Sequence, residues 1–235
     1  MAEPIQPDKE FLKIIRPGVA VDVVLFAITN NDLKVALIKR EDEPYYGKHA
    51  LPGRFVRYEE KIEDTARKSL ETKGNINAAN IYLEQLYTFG QNLERDTRIR
   101  TISIVYYALI DSAEITKQAG NKFLWESAYK LPSLAFDHEK IIKFALDKLR
   151  EKLFASDFVA ALMPENFTLS ELQNAYEIIL DKKLDKRNFR KRMAALKVLQ
   201  STKETKMEGA HRPALLYKFK NKEYRVLKEK LQIFV

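Results

Sequence analysis

Two β-branched, apolar runs, residues 18–28 (GVAVDVVLFAI) and 33–39 (LKVALIK), lie near the start of the sequence with Thr29-Asn30-Asn31-Asp32 between them, and turn chemistry between two such runs predicts a β-hairpin. An irregular loop through Pro44 and Gly47 follows. Residues 48–76 then predict a strand, a tight turn at Pro52-Gly53, a second short strand and an amphipathic helix with Ile62, Ala66 and Leu70 on one stripe. Ile81–Gly90 and Arg100–Ile110 read as strands around the polar loop Gln91–Arg98. Trp125 and Leu131-Pro132 mark a loop. Asp137–Leu153 is an amphipathic helix capped by Asp137, with Ile141, Ile142, Ala145, Leu146 and Leu149 at helical spacing. Strands and helices in this order suit a mixed sheet with helices packed on it.

The pattern changes after Leu153. Ala155–Leu162 is a short apolar helix stopped by Pro164, and Thr168-Leu169-Ser170-Glu171 is a capping box that opens a helix running to about Leu180. A polar turn, Asp181-Lys182-Lys183, leads to Asp185, which can cap a third helix, Lys186–Leu196. This is helix-turn-helix spacing. Phe189, Met193 and Leu196 form the packing face of the third helix, and Lys186, Arg187, Asn188, Arg190 and Lys191 are left for another face. Arginine matches guanine bidentately, asparagine matches adenine, and lysine holds phosphates, so a major-groove helix needs such residues. The same composition suits a solvated surface helix. The next segment shifts the balance: a strand begins at Val198-Leu199, Ser201–Ala210 is a polar loop, and Leu215–Phe219 returns, forming a wing with Lys203, Lys206 and Arg212 along it for phosphate contacts.

Charge agrees with this division. Residues 181–235 hold 17 Lys/Arg against 6 Asp/Glu, or +11, while the first 180 hold 24 against 27, or −3. A basic end hints at a polyanionic partner. The chain has 235 residues and 46% apolar content, ample for one large or two modest cores. With no cysteine, a disulfide framework or thiolate metal site is excluded, and His49, His138 and His211 form no ligand spacing. The first residues, MAEPIQPDKE, lack a signal pattern, and the run from Gly18 to Ile28 is too short to cross a bilayer, so the expectation is a cytoplasmic protein with no membrane partner.

Residues 48–76 resemble a Nudix box, whose pattern is a glycine, five residues, a glutamate, seven residues, then Arg-Glu-aliphatic-x-Glu-Glu-x-Gly-aliphatic. Counting from Gly53 matches Glu59, Arg67, Glu71 and Gly74 but puts Lys68 and Thr72 at two of the metal-binding glutamates. Aligning on the turn and Leu70 puts Glu60 first and Ser69, Thr72 and Lys73 in the glutamate positions. It keeps Phe55, Val56, Leu70 and Ile76 in apolar slots and is preferred. Either register leaves at most one of three carboxylates and places an ammonium where a cation would bind. Glu63, Arg67 and Glu71, spaced four apart, read as a solvated ion-pair ladder.

Three further segments, residues 82–90 (YLEQLYTFG), Arg95-Asp96-x-Arg98 and residues 102–110 (ISIVYYALI), together with residues 167–193 and 209–219, resemble the Nudix-related transcriptional regulators of bacteria over nearly the whole chain. The resemblance implies an α+β architecture: a Nudix-type mixed sheet flanked by helices as an α/β/α sandwich in residues 1–153, then a winged helix-turn-helix in 154–235. It implies a ligand-responsive regulator that binds double-stranded operator DNA as a homodimer. The effector would be ADP-ribose or a pentose such as arabinose, with no cofactor, metal or catalytic residue assigned. Lys186, Arg187, Asn188, Arg190, Lys191, Lys203, Lys206 and Arg212 are the candidate DNA contacts, and Arg40, Arg54, Phe55, Arg57, Arg98 and Arg100 the candidate effector contacts. The alternative is a Mg²⁺-dependent Nudix hydrolase of ADP-ribose-like diphosphates that rebuilds its metal site from Glu59, Glu60 or Glu94 and carries an accessory nucleic-acid-binding domain.

Overall fold

Strand β1 (Gly18–Thr29) is the spine of a seven-stranded mixed sheet in the computed structural model, which describes residues 16–79, 81–117, 120, 122–153, 158–207 and 213–220. One edge of β1 pairs antiparallel with β2 (Asp32–Lys39) through Phe26–Thr29 and with β4 (Gly53–Phe55) through Ala20–Asp22. Its other edge pairs in parallel with β6 (Thr101–Leu109), and β5 (Tyr82–Phe89) closes that side antiparallel to β6. On the outer edge of β2 lie β3 (His49–Ala50) and β7 (Leu124–Ser127). The expected hairpin forms, and Asn30 and Asn31 both take positive φ (52° and 60°), as a two-residue turn that follows strand twist requires.

Both faces of β1 are covered, which is why it is apolar at nearly every position. Val21, Val23, Leu25 and Ala27 meet Ala66 and Leu70 of helix α1 (Ile62–Gly74) in one cluster. Val24 and Phe26 meet Ile141, Ile142, Ala145 and Leu149 of a helix on the opposite face in another. Two layers of helix thus enclose the sheet, as expected. A short helix, α2 (Ser112–Lys117), follows β6, and the helix of the second cluster is α3 (His138–Lys152).

The second cluster continues into the C-terminal part through Val159 and Leu162, in a 3-10 turn (Phe158–Leu162), and Phe167, Leu172, Ile179, Phe189 and Met193. There α4 (Leu169–Leu180) carries the complete Thr168/Glu171 capping box, and α5 (Lys186–Leu196) starts where Asp185 accepts the Asn188 amide at 2.8 Å. A three-stranded sheet, β8 (Phe167–Thr168), β10 (Ala214–Phe219) and β9 (Leu199–Lys206), completes the winged helix.

Four local expectations are corrected. Trp125 lies in β7 opposite Ala36, because it packs on the β1–α1 cluster, and is not in a loop. Residues 201–206 continue β9 as a strand, held by pairing with Ala214 and Leu215. Asp137 occupies the N-cap position of α3 without a side-chain capping bond. On α1 the buried stripe is Thr65, Ala66, Ser69, Leu70 and Gly74, and Ile62 is exposed. Ala155 to Asp157 lie outside the described residues, so of the expected helix there only the 3-10 turn is seen.

Candidate functional site

The turn at Pro52-Gly53 brings β4 so close to β1 that a side chain at Gly53 would run into the Asp22 carboxylate and the Val21 carbonyl. This close approach forms one wall of a cavity of about 270 Å³. Arg40 from the end of β2, Arg54 and Phe55 from β4, Arg98 from the β5–β6 loop and Lys73 from α1 line it, with Phe136 and His138 at the start of α3. Of the candidate effector residues, Arg40, Arg54, Phe55 and Arg98 therefore share one site. Arg57 and Arg100 are not among the lining residues. Arg57 is exposed on the turn before α1, and the Arg100 guanidinium donates to the carbonyls of Gly90 (2.5 Å) and Asn92 (3.3 Å), fastening the loop from behind.

The guanidinium carbons of Arg40 and Arg98 stand 4.8 and 5.4 Å from the Phe136 ring centroid, and Arg98 also lies 5.6 Å from the ring of Phe55. Arg98 is held by Asp96 (2.8 and 3.0 Å), which raises its pKa against the opposing effect of burial. Arg40 donates to the carbonyls of Pro44 (2.8 Å) and Asp42 (3.0 Å), and burial with the nearby Arg98 charge lowers its pKa. Two like charges converging on a cavity are relieved by an anion.

Beneath them lies a buried polar cluster. Asp22 (7% exposed) accepts from the Ser103 hydroxyl at 2.5 Å and faces Arg95 at 3.6 Å and His138 Nε2 at 3.7 Å. Burial works against the charge of Arg95, but its hydrogen bonds to Asp137 and the Asp22 charge outweigh it and leave the pKa raised. His138 Nδ1 accepts from the Leu51 amide at 2.9 Å, so its proton sits on Nε2 toward Asp22, and burial pushes its pKa down. The sequence pointed to Arg95 and Asp96 only within a longer motif. Asp22 and Phe136 gave no local signal, Lys73 stood out only as an ammonium in a glutamate slot of the box, and His138 only as one of three scattered histidines.

At the other end of the chain, Lys186, Arg187, Asn188, Arg190 and Lys191 are all exposed on α5, while Phe189 and Met193 are buried beneath them. None of these four cations has a carboxylate within 4 Å among the described residues. Lys203 lies at an irregularity of β9 with φ 67°, and Lys206 pairs with Glu171 at 2.7 Å. Arg212 and His211 lie outside the described residues.

The NrtR DNA-binding winged helix domain matches residues 159–219. The ADPR responsive transcriptional repressor NtrR of Acinetobacter baylyi is 36% identical over 215 residues, which cover 88% of this chain and 84% of the relative. The chain belongs to the NrtR family. Shewanella oneidensis NrtR, in a crystal structure with a 27mer DNA, shares 33% identity at a TM-score of 0.75, over 86% of this chain and 93% of that one. The NUDIX domain of the same Shewanella protein, complexed with ADP ribose, aligns at a TM-score of 0.50 and 29% identity, over 61% of this chain and 94% of that one. The ADP-ribose pyrophosphatase of Methanocaldococcus jannaschii is 34% identical over 138 residues, 57% of this chain and 76% of the enzyme.

In this NrtR-family chain helix α3 joins the two regions. Its first turn carries His138 at the cavity, and near its far end Arg150 Nε donates to the Ile179 carbonyl of α4 at 3.0 Å. The Tyr129 hydroxyl reaches the Ile178 and Ile179 carbonyls at 2.5 and 3.0 Å, and burial pushes its pKa up to about 12. Asn31 in the β1–β2 turn meets Asn174 of α4 at 2.5 Å.

Proposed function

We propose that this chain is a transcriptional repressor that binds operator DNA through α5 and the β9–β10 wing, and that releases or tightens that grip on binding ADP-ribose in the cavity lined by Arg40, Arg54, Phe55 and Arg98. The domains are taken as residues 1–153 and 154–235. The observation that carries the reading is the convergence of Arg40 and Arg98 across Phe136 on one cavity, in a chain that also presents an exposed basic helix. A larger cavity of about 670 Å³ between β5, α2 and the 3-10 turn is the weaker candidate, because it offers one lysine, Lys117, against Asp111, Glu114 and Glu165. That balance repels a diphosphate.

The surplus of cations at the smaller cavity favours ADP-ribose over a neutral pentose. The Acinetobacter relative is an ADPR responsive repressor, and the NUDIX domain of the Shewanella relative is complexed with ADP ribose. Lys186, Arg187, Asn188, Arg190 and Lys191 are assigned to base and phosphate contacts, and Lys203, Lys206 and Arg212 to phosphates. A two-fold operator calls for a homodimer. No helix among the described residues is long and apolar enough to cross a membrane, in keeping with action on DNA in the cytoplasm.

Fluorescence anisotropy with DNA from upstream of the chain's own gene tests the regulator. Selective binding altered by ADP-ribose supports it, and affinity indifferent to ADP-ribose overturns it. The hydrolase alternative, to which the archaeal pyrophosphatase is the relevant relative, requires Mg²⁺-dependent release of AMP from ADP-ribose.

A further inference from the structure

A Nudix fold implies a divalent cation held by carboxylates on α1, and the residues at those positions can be tested against that role. Helix geometry distinguishes the two registers of the box. Leu70 and Ile76, which one register places in aliphatic slots, are 0% and 4% exposed. Asn75, which it places in the last glycine slot, takes the left-handed helix cap with φ 54° and ψ 44°, a conformation asparagine tolerates in place of glycine. This register assigns Ser69, Thr72 and Lys73 to the three glutamate positions.

Those residues do not fit a metal. The Ser69 hydroxyl is fully buried without a hydrogen-bond partner among the described residues, Thr72 donates to the Lys68 carbonyl at 2.7 Å, and Lys73 is a cation. Glu60 is already neutralised by Lys68 at 3.1 Å and Arg54 at 3.4 Å. No group of three or more His, Cys, Asp or Glu among the described residues is disposed to hold an ion. A hard divalent cation needs about six oxygen ligands, several of them anionic or carbonyl.

An ammonium stands there instead. Lys73 lines the cavity together with Arg40, and neither has a carboxylate within 4 Å among the described residues, whereas Arg54, Arg95 and Arg98 are each paired. A carboxylate cage repels phosphate until a metal fills it. A lysine reverses that sign, because the site is already positive when empty. We infer that Lys73 replaces the metal ion of the fold: its ammonium meets the phosphates of the effector directly, and the cavity takes a diphosphate without a divalent cation. This rests on the effector reading above and adds its chemistry. Affinity becomes independent of Mg²⁺, and the water-activating role of a metal has no holder on α1.

Calorimetric titration of the full chain with ADP-ribose, in EDTA and then in Mg²⁺, tests it, with pyrophosphate run alongside as a second probe. The expected result is equal affinity in both buffers. Lys73→Met should weaken binding about tenfold or more in each, by loss of a charge-assisted contact. Lys73→Arg should keep most of it, and thermal midpoints should be unchanged since Lys73 is exposed and makes no ion pair among the described residues. Binding that requires Mg²⁺, or Lys73→Met binding as tightly as wild type, overturns the inference while leaving ADP-ribose as effector. Pyrophosphate binding that depends on Lys73 without any ADP-ribose binding supports the anion site and removes that effector. Silence from both probes overturns the two readings together.

Discussion

Asp137 stands at the N-cap position of helix α3, yet its carboxylate accepts two hydrogen bonds from Arg95, at 2.8 and 3.1 Å, and caps nothing. The loop between β5 and β6 is thereby fastened to the helix that leads toward the winged domain. Arg95 is 6% exposed and also faces Asp22, so removing its charge leaves two carboxylates in a buried site. Arg95→Met is expected to cost about 3–5 kcal/mol in urea unfolding. A loss below about 1 kcal/mol would show that the cluster is not a structural unit.

His138 supplies a pH dependence whose sign is fixed by its burial. Its folded pKa lies below the ordinary value of 6.5, so unfolding takes up a proton once the pH falls below that value. Its contribution to stability is complete at higher pH and is lost as the pH falls from about 6.5 through the folded pKa. The slope from this one group approaches about 1.4 kcal/mol per pH unit. Urea midpoints of wild type and His138→Gln between pH 7.5 and roughly 5 should diverge in slope, with the variant flatter. Parallel curves would remove His138 from the account.

Tyr129 ties the sheet domain to α4. Tyr129→Phe leaves the ring packed and removes the hydroxyl from the Ile178 and Ile179 carbonyls, which keeps Arg150 as the remaining side-chain donor to Ile179. The expected cost is about 1 kcal/mol in stability. The effect of ADP-ribose on DNA affinity should shrink as well, since an effector acts only through contacts that differ between two arrangements. Unaltered coupling would place the communication elsewhere.

The basic residues of the winged helix are expected to divide by role. Arg190→Ala on α5 is expected to weaken operator binding by about 1–3 kcal/mol and to relax preference at one base pair. Lys203→Ala in the wing should weaken all sequences alike and reduce the slope of log affinity against log salt by about one. Anisotropy titrations across a salt series separate the two. Identical behaviour of both variants would argue against base reading by α5.

What the sequence revealed was local chemistry. The Asn30-Asn31 turn, the Thr168/Glu171 box, the Asp185 cap and the packing face of Phe189 and Met193 depend on neighbours within a few positions, and all appear as expected. What stayed hidden depends on distant contacts. Trp125 joins a strand because β2 lies beside it, and Asp137 turns away from its own helix because a loop 42 residues earlier delivers Arg95. The cavity shows the same limit: Arg40, Arg54, Phe55 and Arg98 were found as cations and an aromatic near a turn, Arg57 and Arg100 looked equivalent, and Lys73 was recognised only as a residue unfit for a metal.

In the proposed repressor the cavity at one end governs the basic helix at the other. The most direct test of that control is the operator affinity of wild type and of the double variant Arg40→Ala, Arg98→Ala, each measured by anisotropy with and without ADP-ribose in EDTA. ADP-ribose is expected to shift the affinity of the wild type by roughly 5–150-fold, the usual range of such coupling, and to leave the double variant unmoved. An equal shift in both proteins, or none in the wild type, would contradict it.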